Sequence, residues 1–237
     1  MTSAIILAGG SSKRMGDDVD KLVLQVGSLP LIARVLLTFE RCSNIDEIIL
    51  VARKDRQDAY RSLALEHHIS KLTSVIPGGV ERQDSVWCGI QAISPNSKIV
   101  LIHDSARALV TIDIISRCVA IAQKTGAAIP AARVKDTIKR TISPTNARSN
   151  GSNPLVEATV DRSLLWAAQT PQTFRTDLIR RAYEQVIRDR LIITDDASAV
   201  EHLGHPVSIV ESNPFNLKIT TPEDLLLAEA FLSKQKP

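Results

Sequence analysis

The stretch Ala8-Gly9-Gly10-Ser11-Ser12-Lys13-Arg14-Met15-Gly16 puts small residues beside two cations directly after a short apolar run. Small side chains let a backbone approach an anion closely, and successive N–H groups can then point at phosphate oxygens. Lys13, Arg14 and the downstream Lys21 keep their charge at neutral pH. The pattern predicts a polyphosphate cradle. It is not a Walker loop, because Gly-Lys-Ser/Thr is missing, and not a dinucleotide fingerprint, because the G-x-G-x-x-G spacing is absent. A tight surface turn with exposed cations is the plainer alternative.

A second cluster, His103-Asp104-Ser105-Ala106-Arg107, closes another apolar run. In open α/β sheets, ligands bind beyond the carboxyl ends of the strands, where this Asp and Arg would sit. A carboxylate there can hold Mg²⁺ or accept hydrogen bonds from hydroxyls. His, Asp and Ser as chain neighbours cannot form a hydrolytic relay, since a strand sends adjacent side chains to opposite faces, and no G-x-S-x-G elbow accompanies them.

Gly78-Gly79-Val80-Glu81-Arg82-Gln83-Asp84-Ser85 is a glycine turn feeding a helix, able to cap a base or sugar through Ser85 and backbone groups. A plain strand-to-helix connection has the same pattern. Lys135 to Arg140, Thr159 to Arg162 and Asn216 to Thr220 are further pieces carrying cations beside polar side chains, for which a solvated face is the simpler outcome. His67-His68 are neighbours with no H-E-x-x-H or Cys/His quartet, and are expected to be surface histidines. Asp195-Asp196 after Thr194 are expected to be helix-start chemistry beside a Thr cap rather than a catalytic carboxylate pair.

To position these groups, the chain alternates β-branched runs with helix-length amphipathic stretches, the pattern of a parallel sheet covered on both faces. Strands are expected at Ser3 to Leu7, Glu47 to Val51, Thr73 to Ile76, Ile99 to His103, Ala127 to Pro130 and Val207 to Val210, all apolar enough to be central. Helices are expected at Leu31 to Phe39, Arg56 to His67, Ser85 to Ile93, Ile112 to Lys124, Asp177 to Arg188 and Pro222 to Leu232. The last has Thr221 as its cap, Pro222 at its first position and Glu223 and Asp224 in its first turn. Val134 to Glu157 breaks the alternation. It is polar, contains the turn signal Asn150-Gly151, and is expected to leave the body as a hairpin or a loop; a disordered surface insertion is the alternative.

The 237 residues are expected to form one domain, 1–237, a mostly parallel Rossmann-like α/β sheet with helices on both faces and the 134–157 segment as an arm. A 44% hydrophobic fraction supports a compact core, and a net charge of +3 is too small for a general nucleic-acid binder. At 3% aromatic, the chain has few residues for base stacking. Cys42, Cys88 and Cys118 are odd in number and widely spaced, which fits buried reduced thiols in a cytoplasmic protein rather than a disulfide framework or metal site. No apolar run approaches the ~20 residues of a membrane span.

In this order, these pieces resemble the 2-C-methyl-D-erythritol 4-phosphate cytidylyltransferases of the non-mevalonate isoprenoid pathway. The likeness extends over the Ala8 to Met15 loop with Lys21, Gly78 to Ser85, His103 to Arg107, Asp136 to Arg140, Thr159 to Arg162, Thr170 to Gln172, Asp195 to Ala199 and Lys218 to Asp224. The resemblance implies that a phosphate oxygen of the acceptor attacks the α-phosphorus of CTP, with Mg²⁺ as cofactor. Arg14 and Lys21 would stabilise the reacting phosphorus, and Arg162 and Lys218 would hold the acceptor phosphate. Asp104, Arg107, Thr137 and Thr170 would line the acceptor site, while Ala8, Gly9, Gly10, Gly79 and Ser85 would contact CTP. Asp104 would bind Mg²⁺ or substrate hydroxyls. A homodimer through the 134–157 arm is implied, with Arg162 serving the partner's site. Alternatives are a D-ribitol 5-phosphate cytidylyltransferase and a catalytically silent nucleotide-binding regulator.

The chain departs from the usual family pattern at a few positions. Ser12 replaces a loop glycine, Asp20 and Leu22 flank Lys21 where Pro and Gln are typical, and Ser105 and Ala108 stand in place of Ala and Pro.

Overall fold

The structure, a computed structural model, describes residues 1–10, 20–142 and 153–234. In chain order the first elements are β1 (Thr2–Ala8), the short pair β2 (Gln25–Val26) and β3 (Leu29–Pro30), α1 (Leu31–Arg41), β4 (Glu47–Ala52), α2 (Gln57–Glu66) and β5 (Leu72–Pro77). They are followed by α3 (Arg82–Ala92), β6 (Ile99–Asp104), α4 (Ile112–Thr125), β7 (Ala127–Arg133), β8 (Lys139–Thr141) and β9 (Val156–Thr159). The chain continues through β10 (Trp166–Ala168), β11 (Gln172–Arg175), α5 (Thr176–Arg188), α6 (Asp196–His202), β12 (Ser208–Glu211) and α7 (Pro222–Lys234).

β1 pairs in parallel with β4 on one side and β6 on the other, and β4 pairs in parallel with β5. β11 runs antiparallel to both β6 and β7, β10 is antiparallel to β7, and β12 is parallel to it. The sheet is therefore mostly parallel, as expected, with two antiparallel strands, β10 and β11. The period of two along β1 explains its layers: Ala4 and Ile6 enter one core with α1 and α4, whereas Ile5 enters the other with α3 and α5. Burying each such isoleucine stabilises the fold by roughly 1.5–3 kcal/mol relative to exposure. Gly89 in α3 lets that helix lie against β1, because a Cβ there would come within 2.5 Å of Ile5 Cγ2.

Several expectations need correction. The strands expected at Thr73 to Ile76 and Val207 to Val210 lie at the sheet's margins as β5 and β12, and both are only partly buried. The helix expected at Arg56 to His67 begins as a 3₁₀ turn at Lys54–Arg56 and is α-helical only over Gln57–Glu66. The helix expected from Ser85 starts at Arg82, because Glu81 and Asp84 form a capping box three residues earlier. Thr194 is not the cap of α6; Asp195 is, accepting from the Ser198 N–H at 3.0 Å. Cys42 and Cys118 are buried free thiols, but Cys88 is only half-buried. β8 and β9 form a separate antiparallel ribbon with mostly exposed residues, but its second strand runs to Thr159, past the expected boundary at 157; the Asn150-Gly151 signal lies outside the described residues. No helix among the described residues is long and apolar enough to cross a membrane.

Candidate active site

A cleft of about 340 Å³ opens beyond the carboxyl ends of β1 and β6. Gly9, Gly10, Lys21, Gly79, Ser85, Asp104 and Lys218, all expected site residues, line it. Each is placed by a local cause. β1 ends at Ala8, whose side chain is buried in the core, while Leu7 before it and Gly9 and Gly10 after it line the opening. Gly79 must be glycine, since a Cβ there would meet Asp84 Cβ at 2.3 Å where the turn folds onto the start of α3. Its N–H donates to Ser85 Oγ at 3.1 Å, and Ser85 in turn donates to the Glu81 carbonyl.

Lys21 begins a 3₁₀ turn, Lys21–Val23, capped by the Asp20 side chain, which accepts from the Leu22 N–H at 3.1 Å. The Tyr60 hydroxyl of α2 donates to the other Asp20 oxygen at 2.8 Å, and Leu22 is buried in the core. The Asp20 and Leu22 departures thus form a different anchor for the same lysine. Lys21 Nζ donates to the Ile219 carbonyl at 3.1 Å, so it faces the segment that carries Lys218. Ser105 also uses its departure: its hydroxyl donates to the Leu7 carbonyl at 2.6 Å, tying β6 to β1 at the cleft floor. Ala108 is buried in the core.

Asp104 sits between two cations, with Arg82 Nε 3.2 Å from one oxygen and Lys218 Nζ 2.6 Å from the other. Burial would raise its carboxyl, but Arg82 and then Lys218 outweigh that and hold it far below the usual carboxylate range. Arg82 is braced from behind by two hydrogen bonds to Asp196, at 3.0 and 2.8 Å. Asp196 is fully buried and also accepts from the Tyr183 hydroxyl at 2.5 Å. Burial opposes the Arg82 charge, yet Asp196 and Asp104 keep it above its ordinary range. Sequence reasoning missed Arg82 and Asp196. One signal was present: Arg82 is a cation in the first turn of a helix, where the macrodipole disfavours it, and a locally unfavourable charge points to a partner elsewhere.

Arg107 and Thr170 lie beside the cleft in a buried network. Thr170 Oγ accepts from the Asp104 N–H at 3.1 Å and stands 3.0 Å from His103 Nδ1, while Arg107 reaches the Asn216 carbonyl at 2.7 Å. Thr137 precedes the β8–β9 ribbon and is exposed. Arg162, also exposed, donates to the Lys135 carbonyl and does not line the cleft. Arg14 lies outside the described residues, as do Ser12 and Lys13.

Asp104 and Glu81 are the carboxylates lining the cleft, and no cluster of three metal-ligating side chains exists among the described residues. So few carboxylates at a cationic opening suit an ion carried chiefly by substrate phosphates, which is how Mg²⁺ is usually held, with one or two protein carboxylates.

A glycine-lined cleft at the carboxyl edge of a mostly parallel sheet, with two lysines and, among the described residues, no paired nucleophile and base, has the form of a nucleotidyltransferase site. The family model described as IspD, 2-C-methyl-D-erythritol 4-phosphate cytidylyltransferase, matches residues 2–234. Curated proteins of that name from Geobacillus kaustophilus and Symbiobacterium thermophilum are 45% and 41% identical, over 98% of this chain and 97% and 93% of theirs. The crystal structure of 4-diphosphocytidyl-2C-methyl-D-erythritol synthase from Anaerococcus prevotii superposes with a TM-score of 0.83 at 30% identity, covering 98% of each chain. The chain belongs to the 2-C-methyl-D-erythritol 4-phosphate cytidylyltransferase family.

Proposed function

We propose that this protein joins CTP to 2-C-methyl-D-erythritol 4-phosphate, forming 4-diphosphocytidyl-2-C-methyl-D-erythritol and pyrophosphate. The observation that carries the reading is that Lys21, Lys218 and the buried Asp104 carboxylate line one cleft, with Lys218 Nζ 2.6 Å from Asp104. An acceptor phosphate oxygen forms a bond to the α-phosphorus as the bond to the pyrophosphate oxygen breaks. No proton is taken from a hydroxyl nucleophile, so the protein's work is alignment and charge neutralisation.

Arg14 and Lys21 stabilise the charge on the five-coordinate phosphorus. Lys218 and Arg162 hold the acceptor phosphate, and Asp104, Arg107, Thr137 and Thr170 receive the polyol. Ala8, Gly9, Gly10, Gly79 and Ser85 bind CTP; because the Gly79 N–H is engaged by Ser85, its carbonyl is what it offers a ligand. Asp104 holds Mg²⁺ or the acceptor hydroxyls. The ion, when bound, neutralises the leaving pyrophosphate. The 134–157 arm pairs two copies, with Arg162 serving the partner's cleft; neither Arg162 nor Thr137 lines the cleft of its own chain.

The test mixes the protein with CTP and Mg²⁺ and either methylerythritol phosphate or ribitol phosphate, following pyrophosphate release. Faster turnover with methylerythritol phosphate is expected. Preference for ribitol phosphate reassigns the acceptor, and no release with either leaves a nucleotide-binding protein without this chemistry.

A further inference from the structure

Asn216 lies in the segment between β12 and α7 and is buried to 3% exposure. Its Nδ2 donates to Gln169 Oε1 at 3.2 Å and to the Thr170 carbonyl at 2.9 Å. Its own carbonyl accepts from Arg107 Nη1 at 2.7 Å. Gln169 Nε2 is committed to the Asn213 carbonyl at 3.0 Å, so Gln169 presents its oxygen to Asn216 and the orientation of both amides is fixed. One residue thus grips the chain at Thr170 with its side chain and the Arg107 guanidinium with its backbone. Two positions later the same segment supplies Lys218, whose Nζ is 2.6 Å from Asp104. The Ile219 N–H then donates to the Ala106 carbonyl at 2.8 Å, pinning the segment to the end of β6.

Asn216 Oδ1 and Arg107 Nε are both buried and have no hydrogen-bond partner among the described residues. Buried polar atoms are normally satisfied, and a grouping that leaves two orphans is a poor choice for stability alone. We infer that Asn216 is a positioning residue for the acceptor subsite: it sets Arg107, Thr170 and Lys218 in register with one another without touching substrate. This rests on the proposed assignment of those three residues to the acceptor.

The experiment compares steady-state kinetics of Asn216→Asp, Gln169→Ala and Arg107→Lys with the parent enzyme, varying CTP and methylerythritol phosphate in turn. Aspartate keeps the size of Asn216 but sets oxygen against the Thr170 carbonyl and Gln169 Oε1. Asn216→Asp is expected to raise the acceptor KM by about tenfold or more while the KM for CTP stays within about twofold. Gln169→Ala, which removes one of the two anchors, should show the same split more weakly and carries the test if Asn216→Asp does not fold. A purely structural role would lower the thermal midpoint and leave the ratio of the two KM values unchanged, which overturns the inference. If Arg107→Lys leaves the acceptor KM unchanged, the acceptor assignment itself fails and the inference falls with it.

Discussion

The Thr170 hydroxyl donates to His103 Nδ1 across 3.0 Å, and the direction of that bond is fixed by the far side of the ring. His103 Nε2 stands 3.2 Å from the Arg107 carbonyl, which can only accept, so Nε2 carries the proton. Burial pushes the ring down to about 3, with Arg107 opposing and Asp104 favouring its charge, and the imidazole stays neutral at working pH. A chain of bonds then runs from the Asp104 N–H through Thr170 and His103 to Arg107, joining three proposed acceptor residues.

A pH dependence of stability follows from that ring. The unfolded chain takes up a proton near the ordinary 6.5, whereas the folded ring does so only near 3. The unfolded state therefore binds more protons throughout that window, and stability falls as pH falls through it, by at most ~1.4 kcal/mol per pH unit. Urea midpoints taken downward from neutral pH should drop in the parent, and less steeply in His103→Gln, which can donate to Arg107 and accept from Thr170 without titrating. Parallel slopes in the two proteins would remove His103 as the cause.

Lys21→Ala is expected to lower kcat on the order of 10²- to 10³-fold, the usual effect of deleting one preorganised charge contact. The turn that carries it is held without the ammonium, since Asp20 caps the turn and Tyr60 holds Asp20, although the substitution removes the bond from Nζ to the Ile219 carbonyl. The thermal midpoint should therefore change little, and the KM for CTP should rise less than kcat falls. An unchanged kcat contradicts the role given to this lysine.

The parallel strands were legible because β1, β4 and β6 are buried on both faces and read as unbroken apolar runs. β10 and β11 were not, since Trp166–Ala168 has only three residues and Gln172–Arg175 is short and mostly polar, and both are held by pairing to β7 and β6 rather than by their own pattern. Asp104 and Lys218 were legible as residue types beside motifs, but their contact spans more than a hundred positions and depends on the sheet order. The Asp195-Asp196 pair shows the limit most clearly. Both are acidic at a helix start; one caps the helix, and its neighbour turns inward to Arg82 and Tyr183, a division set by tertiary packing.

That inward carboxylate predicts strong coupling. Arg82→Met leaves a fully buried Asp196 without its cation, a change expected to cost about 3 kcal/mol or more of stability. Asp196→Asn should be destabilising too, because it weakens the grip on Arg82. The double variant removes both charges together and should cost less than the sum, with a coupling of about 1–3 kcal/mol in a denaturant-based double-mutant cycle. Strict additivity would mean that the 2.8 Å contact contributes nothing of its own.

Arg162 offers the sharpest test of assembly, because its guanidinium rests on the Lys135 carbonyl and not in the cleft of its own chain. If the arm carries Arg162 into the cleft of a partner, Lys21→Ala and Arg162→Ala subunits are each inactive for a different reason. In a mixed dimer one cleft combines both defects, while the other combines an intact Lys21 with an intact Arg162 from the partner. Mixing the two inactive proteins under conditions of subunit exchange should restore up to about a quarter of parental activity, since half of the dimers are mixed and each has one complete site of two. No restoration, with exchange verified by mass spectrometry of tagged subunits, would place Arg162 in the site of its own chain and require the ribbon's base to close over the cleft instead.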